Sequence, residues 1–139
     1  MQLSNTRAMS TDYKDLPIVY SCSGSSTAAQ MANYLAVKLD RSQLAEMSCI
    51  VGVGGNVKKL VKTATSGRKM IVIDGCPLEC SKAVLKNHGL KPTLHMELSK
   101  EGVKKKQHED FDIEQANEIL DDLKKKMEEV LCESELYSI

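Results

Sequence analysis

Two rhythms of apolar positions run through this chain. Short, largely β-branched stretches at residues 17–20 (Pro-Ile-Val-Tyr), 47–51 (Met-Ser-Cys-Ile-Val) and 71–73 (Ile-Val-Ile) read as strands that lie inside a protein. Residues 93–98 alternate instead, with Leu94, Met96 and Leu98 on one face and His95 and Glu97 on the other, so a fourth strand is expected there. Helical spacing fills the gaps. Residues 28–39 bring Met31, Leu35 and Leu39 to one side, and Asn56 is placed to cap a helix that ends near Thr65. A third helix is expected from Cys76, as N-cap with Pro77 in the first helical position, to about Gly89. Residues 112–131 carry Ile113, Ala116, Leu120, Leu123, Met127 and Val130 at threes and fours, one apolar stripe between charged faces.

Strands that alternate with helices across short loops imply a parallel sheet covered on both sides. The expected fold is therefore α/β: a single doubly wound domain, a parallel sheet of about four strands with helices on both faces. Its bounds are residues 16–139, C-terminal helix included, behind a polar, aperiodic leader at residues 1–15 read as flexible. In the commonest small order strand 1 lies between strands 2 and 3, and ligands settle at the carboxyl ends of strands 1 and 3. The C-terminal stripe docks on the sheet or pairs in a homodimer; with about three heptads, docking is the simpler expectation.

Composition narrows the partners. The 139 residues hold 19 basic and 19 acidic side chains, which leaves no field to draw in nucleic acid, and one Phe without Trp offers no platform for stacked bases. No stretch has the apolar length of a membrane span, and the first residues lack a signal peptide's apolar run, so the expected location is cytoplasmic. In a reducing compartment five cysteines act as metal ligands, catalytic thiols or packing residues rather than disulfides.

The cysteines are distributed in a telling way. Cys22 opens the small-residue loop after strand 1, Cys49 stands just before Gly52-Val-Gly-Gly55, and Cys76 and Cys80 follow strand 3. In the expected strand order all four come to one edge of the sheet. A tetrahedral four-thiolate zinc site is the simplest species using them all, and an iron–sulfur cluster takes the same ligands. The glycines at Gly24, Gly52, Gly54 and Gly75 would let backbone pass close to such a site, and Asp74 would orient loop N–H groups around it. A closed site of this kind leaves no open position for water, so hydrolysis is not expected. The alternative is a thiol–disulfide or metal-reducing enzyme, with Cys76 attacking from a helix start and Cys80 or Cys22 resolving. Whether the chain is an enzyme at all stays open. His88, His95 and His108 read as solvated or locally hydrogen-bonded, and Lys104-Lys105-Lys106, in a mobile loop over residues 99–110, as a solvated face.

Asp74-Gly75-Cys76-Pro77 with Cys80, Cys22-Ser23-Gly24 and Met47-Ser48-Cys49 together resemble the DGC-domain family of zinc-binding proteins, over residues 18–106. The resemblance implies that Cys22, Cys49, Cys76 and Cys80 are the family cysteines proposed to hold zinc; it implies nothing about activity. Residues 18–27 are also similar to the phosphocysteine loop of the IIB subunits of sugar phosphotransferase systems. That likeness would make Cys22 a phosphate-accepting nucleophile, and it leaves the other three cysteines without a role.

Overall fold

The computed structural model describes residues 12–138, with side chains through Cys132. Residues 1–11 of the expected leader lie outside the described residues; a 3-10 turn at Tyr13–Asp15, capped by Asp12, brings the chain to the sheet. Strands β1 (Ile18–Ser21), β2 (Glu46–Met47), β3 (Met70–Asp74) and β4 (Leu94–Glu97) form one sheet in the order β2-β1-β3-β4, every neighbour parallel. This is the expected doubly wound α/β arrangement, with the winding reversing between β1 and β3. Ile18 lies against Met70 and Ser21 against Ile73, so β3 runs one residue past β1, and the Cys22 N–H extends the ladder to the Ile73 carbonyl.

Alternation along the strands sends apolar side chains to both faces. Val19, Ile71, Ile73 and Met96 face helix α1 (Thr27–Arg41), which supplies Met31, Leu35 and Leu39, and the long helix α5 (Ile113–Ser138), which supplies Ala116, Ile119, Leu120, Leu123 and Met127. Thus the C-terminal stripe docks over the sheet, although Ile113 at its start stays half exposed. On the other face Ile18, Tyr20, Met70 and Val72 meet Val53 of α2 (Ile50–Gly54), Ala64 of α3 (Lys58–Ala64) and Leu85 of α4 (Cys80–Lys86). Full burial of a side chain such as Leu35 or Leu85 contributes roughly 1.5–3 kcal/mol. Among the described residues no helix is long and apolar enough to cross a membrane.

Three local expectations are corrected. Residues 50 and 51 are not strand. The second strand ends at Met47, and Cys49 turns the chain into α2 by offering its sulfur to the Gly52 N–H at 3.3 Å. Gly52 and Gly54 therefore sit inside a short helix rather than in a glycine loop, packed near Leu60 and Val84. Asn56 does not cap α3: it takes a left-handed conformation (φ 59°) as the chain leaves α2, and Val57 precedes the helix. The third correction concerns the Asp74-Gly75-Cys76 turn. Helix α4 begins at Cys80, after a left-handed Glu79 (φ 49°), and not at Cys76. Its cap comes from farther back in the chain, as described next.

Candidate thiol site at the carboxyl edge of the sheet

Asp74 ends β3 with a carboxylate that is 1% exposed. Oδ1 accepts the Ser81 N–H at 2.8 Å, while Oδ2 accepts the Lys82 N–H at 3.2 Å and lies 2.9 Å from His95 Nε2. The first N–H groups of a helix have no partner within it, and a buried carboxylate satisfies two of them here. The helix starts where that carboxylate can reach, so residues 76–79 form a turn, closed by the Glu79 N–H on the Cys76 carbonyl. An ionised carboxylate only accepts, so Nε2 is the protonated nitrogen of His95; its Nδ1 lies 3.5 Å from Glu79 Oε2. Burial by itself would raise the pKa of Asp74. The hydrogen bonds from His95, Ser81 and Lys82 outweigh it and hold the carboxyl below its ordinary range.

Gly75 follows, pressed against α1, and donates its N–H to Cys22 Sγ at 3.3 Å. That contact links the ends of β1 and β3. Beside it opens a cavity of about 260 Å3, whose wall includes Cys22, Cys76 and Cys80, the loop around Gly24, and Gly75. Burial pushes the Cys22 thiol up; the Gly75 N–H works against that rise, whereas the Asp74 carboxylate and the Cys80 and Cys76 sulfurs add to it. Three sequence-predicted cysteines thus share one space.

Cys49 does not join them. Its sulfur caps α2 by accepting the Gly52 N–H, and Cys49 is not among the residues that line this cavity. Among the described residues no three His, Cys, Asp or Glu side chains stand together as a ready-made metal site. In kind the sulfur donors suit zinc or an iron–sulfur cluster; in placement the closed four-thiolate arrangement is not assembled. Cys132, exposed near the far end of α5, belongs to neither group.

The lysine run also departs from expectation. Residues 102–106 are strapped to the start of α1 by Thr27, whose N–H donates to the Lys106 carbonyl and whose hydroxyl donates to the Lys104 carbonyl and accepts from the Lys106 N–H. The strap aims Lys105 across the cavity to within 3.6 Å of Cys76 Sγ. Composition hid this residue, because a triplet of lysines says nothing about what each one faces. His95 is not solvated but holds Asp74, and His88 Nε2 lies 3.0 Å from the Val53 carbonyl, a bridge between α4's end and α2.

These features sit on a recognisable sequence frame. The DGC-domain profile matches residues 18–123, from the first residue of β1 into α5. The chain belongs to the DGC-domain family. Over 110 residues it is 52% identical to the anaerobic and virulence modulator AnvM of Pseudomonas aeruginosa, a match that covers 79% of this chain and 84% of that protein. No solved structure matches. Within this DGC domain the motif's three residues divide the labour: Asp74 starts α4, Gly75 lets β3 and α1 close up, and Cys76 faces the cavity.

Proposed function

We propose that this DGC protein is a regulatory metal–thiol protein, in which zinc is taken up by the thiolates of Cys22, Cys76 and Cys80, with Cys49 as the fourth ligand. The observation that carries this reading is the shared cavity: three soft donors from the ends of two adjacent strands line one space. Zinc uptake would require the three sulfurs to draw together and Cys49 to give up the cap of α2. Bound zinc would supply a clasp between β1, β3 and α2, with no open position for a substrate. The similarity to a protein described as a modulator of anaerobiosis and virulence supports regulation over catalysis.

Metal content of protein purified anaerobically without immobilised-metal resin, measured with a free-thiol count, is the test. About one zinc per chain, with Cys132 as the freely reacting thiol, is the expected result. Visible absorption with iron in place of zinc would assign the cluster instead. No metal and several titratable thiols would overturn the reading.

One observation favours a second reading. Lys105 sets a cation against Cys76, beside the exposed Cys80, as a thiol–disulfide pair would use. Cys49→Ser separates the two: it is expected to abolish a four-thiolate site, and to leave Cys76/Cys80 redox chemistry intact.

A further inference from the structure

Net neutrality conceals a segregation of charge. Between residues 48 and 96, which carry α2, α3 and α4 on one side of the sheet, the acidic residues are Asp74 and Glu79. The first is buried in its hydrogen bonds, and the second is half-buried near His95 and Lys82. Exposed on the same stretch are Lys58, Lys59 and Lys62 of α3, Lys82 and Lys86 of α4, and Lys91. Among the described residues Lys82 alone of these has an acidic partner, Glu79 at 4.0 Å. The acids that balance them lie across the sheet, where α5 exposes Glu118, Asp121, Asp122, Glu128 and Glu129.

An apolar strip runs through this basic face. α2 lies between α3 and α4: a Cβ on Gly52 would strike Leu60 of α3, and one on Gly54 would touch Val84 of α4 at 3.6 Å. Between α2 and α4 opens a groove of about 440 Å3, walled by Ile50, Val51 and Val84, which shares Cys22 and Cys80 with the thiol cavity. Val51 is 71% exposed at its edge, and Val57, where α2 passes to α3, is 50% exposed. Apolar surface left in water and rimmed by polar groups marks a contact site.

An apolar centre between rows of cations is the complement of one kind of partner segment, an amphipathic helix with an aliphatic stripe and acidic flanks. A phosphate backbone would use the lysines and leave the valines uncovered. Residues 48–96 also hold no aromatic side chain to stack on bases, and their one arginine, Arg68, is spent on the Tyr13 and Leu16 carbonyls and on Glu46. We propose that the face built by α2, α3 and α4 docks an acidic amphipathic helix of a partner protein. Its aliphatic residues enter the groove beside Val51, and its carboxylates meet the lysines of α3 and α4. None of this depends on metal: valines and lysines make the contacts, so absence of zinc from the purified protein would leave it untouched.

The test titrates reduced, isotopically labelled full-length protein with a synthetic peptide of about 18 residues, with Leu at i, i+3, i+4 and i+7 among Glu and Ala, and follows the amide resonances. Saturable binding on the order of 10–100 μM, with shifts concentrated in residues 50–62 and 80–91, is the expected result. A scrambled peptide of the same composition, which has no stripe, should bind about ten-fold more weakly. Val51→Glu should weaken the ordered peptide about ten-fold, and Lys58→Glu with Lys62→Glu about five-fold. Lys38→Glu with Lys125→Glu, the same change of charge on α1 and α5, should leave binding unchanged. No saturable shift up to about 1 mM peptide, equal binding of the scrambled peptide, or equal loss from either lysine pair would overturn the proposal. Tighter binding of a DNA duplex or of phosphatidylglycerol vesicles than of the peptide, at about 0.15 M salt, would overturn it too and assign the basic face to phosphate. Val51 and the four lysines are exposed, so the variants are expected to fold; should one fail, the shift map and the scrambled peptide on the unaltered chain decide alone.

Discussion

Asp74→Ala is expected to destabilise the protein by roughly 3–5 kcal/mol, most of what a small domain has. The substitution leaves two N–H groups of α4 and the Nε2 proton of His95 facing an apolar gap, and hydrogen bonds to a buried charge contribute about 1.5–3 kcal/mol each, less than additively. Urea unfolding followed by circular dichroism reads the loss: with a slope of about 1.5 kcal/mol/M the midpoint falls by roughly 2–3 M. Asp74→Asn keeps one acceptor and the shape, so it should lose about half as much. A loss under 1 kcal/mol for the alanine variant would show that α4 is held by packing of Leu85 alone. The effect has a definite pH dependence. The folded-state pKa of Asp74 is depressed, so its contribution is present above the unfolded value of about 3.9 and is lost as pH falls through the folded value. The gap between wild type and Asp74→Ala is therefore constant near neutrality and closes in acid.

That carboxylate also shows what local patterns could and could not reveal. β1 and β3 were legible because central strands are buried on both faces, so Ile18-Val19 and Ile71-Val72-Ile73 appear as unbroken β-branched runs. α1 and α5 were legible because each buries one stripe. The start of α4 was not. Cys76-Pro77 has the local chemistry of a helix start, but the cap that decides lies in Asp74, seven residues before the N–H it accepts, and is fixed in place by His95 on another strand. Likewise Ile50-Val51 reads as strand until Cys49 Sγ is seen turning the chain into α2, an edge position where two ladder pairs are all that β2 makes.

The same limit applied to the site. Strand order was enough to predict Cys22, Cys76 and Cys80 after strands 1 and 3, and Cys49 on strand 2, at one edge. Which way each sulfur points depends on the turn that carries it. Cys22, Cys76 and Cys80 look into a common cavity, and Cys49 is spent on its own helix; Lys105 reaches the cavity only because Thr27 straps a distant loop to α1. A hydrogen bond between residues 77 positions apart leaves no mark in either neighbourhood.

Gly75→Ala should be the most informative single methyl in the chain. A Cβ at that position would stand 2.7 Å from the Ala28 carbonyl carbon, 2.8 Å from its oxygen and 2.9 Å from its Cβ. Two of these atoms are helix backbone, so no rotamer change relieves the contact: either α1 lifts from β3 or the turn after Asp74 moves. Overpacking of this kind costs about 1–3 kcal/mol, and more where backbone must shift, so a loss of roughly 2–4 kcal/mol in urea unfolding is expected. Gly54→Ala is the control, since its methyl makes only ordinary contact with Val84 in a short helix and should be neutral or slightly stabilising. The displacement has a chemical reading as well. It draws the Gly75 N–H away from Cys22 Sγ and opens the joint between β1 and β3, so Cys22 in the folded variant should be alkylated by iodoacetamide several-fold faster while Cys132 is unchanged. If stability falls with no change at Cys22, α1 has moved and the β1–β3 joint has held; if neither changes, the close approach at Gly75 does not hold the two strand ends together.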